Sequence, residues 1–142
     1  MDIDPELYAR VSALAAALTA AVEREDEPAY RSKYGELEAL CADAMASNAA
    51  HPFFLESLGD FTLSDEEALE IYEEALDSAA ASGLRDYAAS IYLAIAERYL
   101  ELEDKEGVLA YANQARVLAR ELNDESLARE ADELIRMAGK VL

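Results

Sequence analysis

A register shift of forty residues places Glu66 on Glu106, Leu69 on Leu109, Ala75 on Ala115, Ala79 on Ala119, Ala88 on Ala128 and Ile95 on Ile135. Leu55 carries the last match back to a third copy. A period of this length means a supersecondary unit that cannot bury its apolar side alone and does so by stacking on its neighbour. The chain has only 5 glycines and 3 prolines, so it lacks the breakers that punctuate β-hairpins. Alanine, leucine, glutamate and arginine take their place, and the unit is therefore helical.

Caps and apolar spacing divide the 142 residues into seven helices. The first is expected from about Pro5 to Glu25, with Asp4 as N-cap and an apolar stripe of Leu7, Val11, Leu14, Leu18 and Val22. The second runs from about Pro28 to Ser47 after Asp26, with Tyr30, Tyr34, Leu37, Cys41 and Met45 on one face, and a short third covers His51 to Phe61. The fourth starts after Ser64, with Glu67 placed to complete a capping box, and ends near Gly83. Arg85–Leu102, Asp104–Leu122 and Asp124–Met137 follow. Such short linkers leave consecutive helices as antiparallel neighbours, giving an all-α fold in one domain over residues 1–142.

The segment from Tyr92 to Leu122 resembles a tetratricopeptide repeat: Tyr92, the pair Ile95-Ala96, Tyr99 and Ala115 take the pattern's aromatic and small positions in order. Ala68, Tyr72 and Ala75 match the second helix of a preceding unit. Val108, Ala112 and Glu103 depart from the pattern. The resemblance spans about residues 50–140 and implies a short right-handed solenoid of helical hairpins, with residues 1–49 as a divergent N-terminal hairpin. It also implies a protein-binding role through a concave groove lined by the first helix of each pair. Placed on this chain, that groove receives Phe53, Ser57, Asp60 and Phe61 from the third helix, and Ser90, Leu93, Glu97, Leu100 and Glu101 from the fifth.

The parts of an active site are scarce. His51 is the only histidine and Cys41 the only cysteine, so neither a two-histidine metal site nor a thiolate cluster can form. The glycines make no phosphate loop and the acids show no EF-hand spacing. His51, ahead of Pro52, reads as a helix-entry residue, and Cys41 as a small buried hydrophobe. The expectation is no enzyme, no cofactor and no metal.

Charge points to a partner. With 31 acidic and 12 basic residues the formal charge is −19, which disfavours nucleic acid and anionic lipid and attracts a cationic protein. From Tyr34 to Leu84 there are twelve acids and no lysine or arginine. On the fourth helix, Glu66, Glu70, Glu73, Glu74 and Asp77 form a solvent-side stripe opposite Leu69, Tyr72 and Leu76. Like charges four residues apart cost about 0.2–0.5 kcal/mol a pair, so such a stripe is read either as a partner-facing surface or as one charged for solubility. It is a second candidate surface beside the groove. The acidic N-terminus lacks the positive charge of a secretory signal, and the apolar run Val11–Val22 is too short for a bilayer, so a cytoplasmic location is expected. The reading is a module that occludes a basic protein, in its sharpest form an immunity protein for a cationic toxin such as a nuclease. The alternatives are an adaptor or chaperone and a self-associating repeat domain.

Overall fold

The computed structural model describes residues 2–141; Met1 and Leu142, the ends of the expected domain, lie outside the described residues. Seven helices follow one another: α1 (Pro5–Glu23), α2 (Glu27–Met45), α3 (Pro52–Phe61), α4 (Asp65–Ser82), α5 (Arg85–Glu101), α6 (Lys105–Glu121) and α7 (Glu125–Val141). No strand occurs among the described residues. The forty-residue period holds for whole elements, since α4 and α5 start forty residues before α6 and α7. Matched residues also share their environment: Ala75, Ala79, Ala115 and Ala119 are all buried. Ile95 is buried while Ile135 is only partly so: among the described residues α5 is packed by α3, α4, α6 and α7, whereas α7 meets only α5 and α6.

Local chemistry sets the boundaries. The Asp4 carboxylate accepts from the amides of Glu6 and Leu7 at 3.0 and 3.1 Å, and Asp26, Asp104 and Asp124 cap α2, α6 and α7 in the same way. Ser64 Oγ accepts from the Glu67 amide at 3.2 Å, the N-cap half of the expected box, and its hydroxyl donates to Glu66 Oε2 at 3.4 Å. His51 is the N-cap of α3, with Nδ1 accepting from the Phe53 amide at 3.0 Å. α7 runs to Val141, beyond the expected end near Met137.

Four helix ends turn through one left-handed residue: Glu25, Gly83, Glu103 and Asn123, with φ of 55, 66, 57 and 59°. In each, the next amide bonds to a carbonyl inside the helix, as Asp104 N–H does to Tyr99 O at 2.9 Å. Glycine and asparagine tolerate this backbone, whereas a glutamate Cβ crowds its own carbonyl. Glu103→Gly is expected to raise stability by about 0.5–1 kcal/mol, the relief of that crowding less the added freedom of the unfolded chain. A higher urea midpoint with an unchanged slope would show it.

The packing is nearly one-dimensional. Each helix contacts its sequence neighbour, and in addition α1 meets α3, α3 meets α5, and α5 meets α7. Among the described residues the even-numbered helices do not contact one another. Odd helices therefore approach more closely than even ones, and the stack bends with α1, α3, α5 and α7 on its inner side. Three apolar clusters run along it. Leu18, Leu37 and Phe54 join α1–α3. Tyr72, Ala75 and Ile91 join α4 to α5. Val108, Ala112 and Ala131 join α6 to its flanks. Buried alanines let helices approach to where larger side chains would hold them apart.

Two expectations are corrected here. Val22 was assigned to the inward stripe of α1, but it is 60% exposed and Ala21 takes the buried place. Ala21 points about 100° from Val22 around the helix axis, and at this end of α1 the packed side is that of Ala21. In α2, Leu40 joins Leu37 and Cys41 in the core, while Tyr30 and Tyr34 are only half-buried. Cys41 is a core residue as expected; its thiol donates to Phe54 O at 3.1 Å, and burial pushes its pKa up to about 12.

Candidate functional site

The inner helices enclose a groove of about 460 Å³ between α3, α5 and α7. Four of the anticipated residues line it: Asp60, Ser90, Leu93 and Glu97. Glu56, Arg98 and Glu130 line it as well, and sequence reasoning missed all three as site residues. Glu56 lies one turn before Asp60 on α3, a spacing that could have disclosed it. Glu130 becomes visible only when α7 is known to lie against α5.

The polar groups of the groove form a connected set. The Ser90 hydroxyl donates to Glu56 Oε2 at 2.5 Å, tying α5 to α3. Tyr72, buried on α4, reaches through with its hydroxyl to donate to Asp60 Oδ1 at 2.6 Å. Arg98 donates to Asp65 Oδ1 at 3.1 Å and to the carbonyl of Gly59 at 2.9 Å. That carbonyl belongs to the last turn of α3, where a cation meets the negative end of the helix dipole. Arg98 is thus committed within the fold, its side chain only 17% exposed.

Four carboxylates, those of Glu56, Asp60, Glu97 and Glu130, therefore share the groove with one engaged guanidinium. Burial pushes the Glu56 carboxyl up to about 7, with Asp60 and Asp86 adding to the rise and the Ser90 bond opposing it. Glu97 is raised by burial, then by Glu130 and Asp60. Asp60 is also raised by the protein around it, although its outer surface is open to solvent, and the Tyr72 bond and Arg98 pull it back down. Burial is the largest cause of all three shifts, and neighbouring carboxylates add to the rise at Glu56 and Glu97. Among the described residues no three His, Cys, Asp or Glu side chains are placed to hold a metal ion.

The other anticipated residues lie elsewhere. Phe53 stacks on Tyr8 of α1 at 5.2 Å and packs against the first apolar cluster. Phe61 packs against the same cluster and faces Tyr30 and Tyr34 of α2 in a separate cleft. Ser57 is half-buried on α3, Leu100 packs against the C-terminal cluster, and Glu101 is exposed at the end of α5. On the outer helix α4, Glu66, Glu70, Glu73, Glu74 and Asp77 are all exposed, as the sequence stripe implied. Of the twelve acids between Tyr34 and Leu84, Glu36 pairs with Lys33 and Asp65 with Arg98.

No helix among the described residues is long and apolar enough to cross a membrane. Compared with protein-family models, with curated proteins and with solved structures, the chain gives no match.

Proposed function

We propose that this chain is a protein-binding module that takes a basic segment of a partner into the groove between α3, α5 and α7. The observation that carries this reading is the imbalance there: Glu56, Asp60, Glu97 and Glu130 face a single arginine that Asp65 and a helix carbonyl already occupy. A guanidinium or ammonium entering the groove would meet several acceptors at once, which favours charge-assisted hydrogen bonds. It would also offset the burial, and the repulsion from Glu130 and Asp60, that together raise Glu97. The overall charge of −19 speeds encounter with a cationic protein. In its sharpest form the module is an immunity protein that covers a cationic toxin such as a nuclease, working in the cytoplasm.

A fluorescein-labelled arginine-rich peptide tests the site by polarisation at roughly 0.15 M salt. Glu97→Lys with Glu130→Lys is expected to weaken binding at least about tenfold, whereas Glu70→Lys with Glu73→Lys on α4 should change it less than about twofold. A larger loss from the α4 pair would move the site to the outer stripe and overturn this reading. The immunity role further requires one tight basic partner whose toxicity the protein suppresses in growing cells. Weak binding of several clients would instead indicate an adaptor or chaperone, and a concentration-dependent oligomer without a partner would indicate self-association.

A further inference from the structure

Two exposed apolar residues, one at the end of a helix and one in a linker, arrive at the same place. Leu63, in the linker before the Ser64 cap, is 77% exposed. A residue at that position commonly staples to the fourth residue of the helix, but here that residue is Ala68, fully buried in another cluster. Val22, at the end of α1, is 60% exposed. Both line a hollow of about 300 Å³ that also contains Tyr30. Through Tyr30 and Leu63 it continues into a second hollow of about 330 Å³ walled by Tyr34 and Phe61.

The two tyrosine hydroxyls of this cleft are already engaged. Tyr30 Oη donates to Phe61 O at 2.6 Å, and Tyr34 Oη lies 2.7 Å from Thr62 Oγ1. Both tyrosines line the cleft beside Val22, Phe61 and Leu63. The cleft exists because α2 and α4 do not pack on each other, so the outer layer is open between them. Its rim carries Glu25, Asp26, Glu27 and Glu67, of which Glu27 pairs with Arg31 at 3.6 Å and Asp26 with Arg24 at 3.8 Å, leaving the rim net negative. It shares no residue with the inner groove.

The geometry points to a docking cleft for a basic amphipathic segment of a partner protein. Two apolar side chains of that segment fill the adjoining hollows, and its lysines or arginines meet the acidic rim. Charge decides between occupants: a second copy of this chain would bring its own strongly negative surface to a negative rim. The site does not depend on the inner groove, and occupancy of one can be lost while the other is retained.

The test uses a synthetic leucine/lysine amphipathic peptide titrated into the full-length isotope-labelled protein and followed by amide chemical shifts. Shifts are expected at Val22, Tyr30, Tyr34 and Leu63. Val22→Ser with Leu63→Ser should weaken binding at least about tenfold, since each removes apolar surface that the peptide would bury. Replacing the peptide's leucines by serine at constant charge should do the same. Glu97→Lys with Glu130→Lys should leave this binding within about twofold. Both replaced side chains are exposed, so the thermal midpoint should not fall. Unchanged affinity in the double-serine protein, equal binding of the serine peptide, or shifts confined to α3, α5 and α7 would each overturn the proposal. So would dimerisation of the free protein that Leu63→Ser abolishes.

Discussion

Glu56→Gln is expected to raise stability by about 3 kcal/mol at pH 8 and to leave it unchanged at pH 4, read from paired urea titrations. In the native state burial pushes the Glu56 carboxyl from its ordinary 4.5 to about 7. Between those two values the unfolded chain has released the proton that the folded chain still holds, so stability falls as pH rises through this window. Below it both states are protonated and no penalty exists. Above it both are ionised and the full penalty applies, at about 1.4 kcal/mol for each pKa unit. Glutamine retains an oxygen to accept from Ser90 Oγ and carries no charge, so it removes the penalty without breaking the α3–α5 link. Equal effects at the two pH values would show that Glu56 is solvated in the native state.

The same result bears on function. A carboxylate that costs the free protein stability at neutral pH stabilises a complex in which a cation neutralises it. Glu56→Gln should therefore produce a more stable protein that binds an arginine-rich peptide less tightly above pH 7, the exchange of stability for activity common at binding sites. Asp60 and Glu97 are shifted in the same direction and add to the trend.

Gly59→Ala should cost about 2–3 kcal/mol and lower the thermal midpoint by roughly 5–10 °C. A Cβ on Gly59 would lie 2.6 Å from Cε1 of Tyr72. That ring cannot step aside, because it is buried and its hydroxyl is held by Asp60. Gly35→Ala is the matching control. It lies within α2 and a Cβ there meets nothing within 4 Å, so the better helix propensity of alanine should stabilise by about 0.5–1 kcal/mol. One chemical change thus has opposite signs at two helical glycines. A small effect at both sites would mean that α3 and α4 can move apart.

Gly59 also explains why the forty-residue repeat is hard to read in its details. The shift sets Gly59 against Tyr99 and Tyr72 against Ala112. In the α3–α4 hairpin the large ring sits on α4 over a glycine of α3. In the next hairpin Tyr99 of α5 covers Gly107 of α6, where a Cβ would come within 2.5 Å of the ring. Each hairpin combines one aromatic with one glycine at a close approach, but the aromatic has moved to the opposite helix. Packing volume is conserved while residue identity is not.

The amino-acid sequence by itself determined the helices, their caps, the short turns and the period of the stack. These depend on residues within about one turn of each other: a carboxylate beside free amides, or apolar side chains recurring on one face. Only the tertiary structure decided which carboxylates converge. Glu56, Glu97 and Glu130 sit on three helices far apart in the chain, and no spacing along a single helix relates them. It also decided that Arg98 is spent on Asp65 and the end of α3, and that Val22 and Leu63 remain outside the core. Periodicity shows which face of a helix is apolar; what covers that face depends on where the other helices lie.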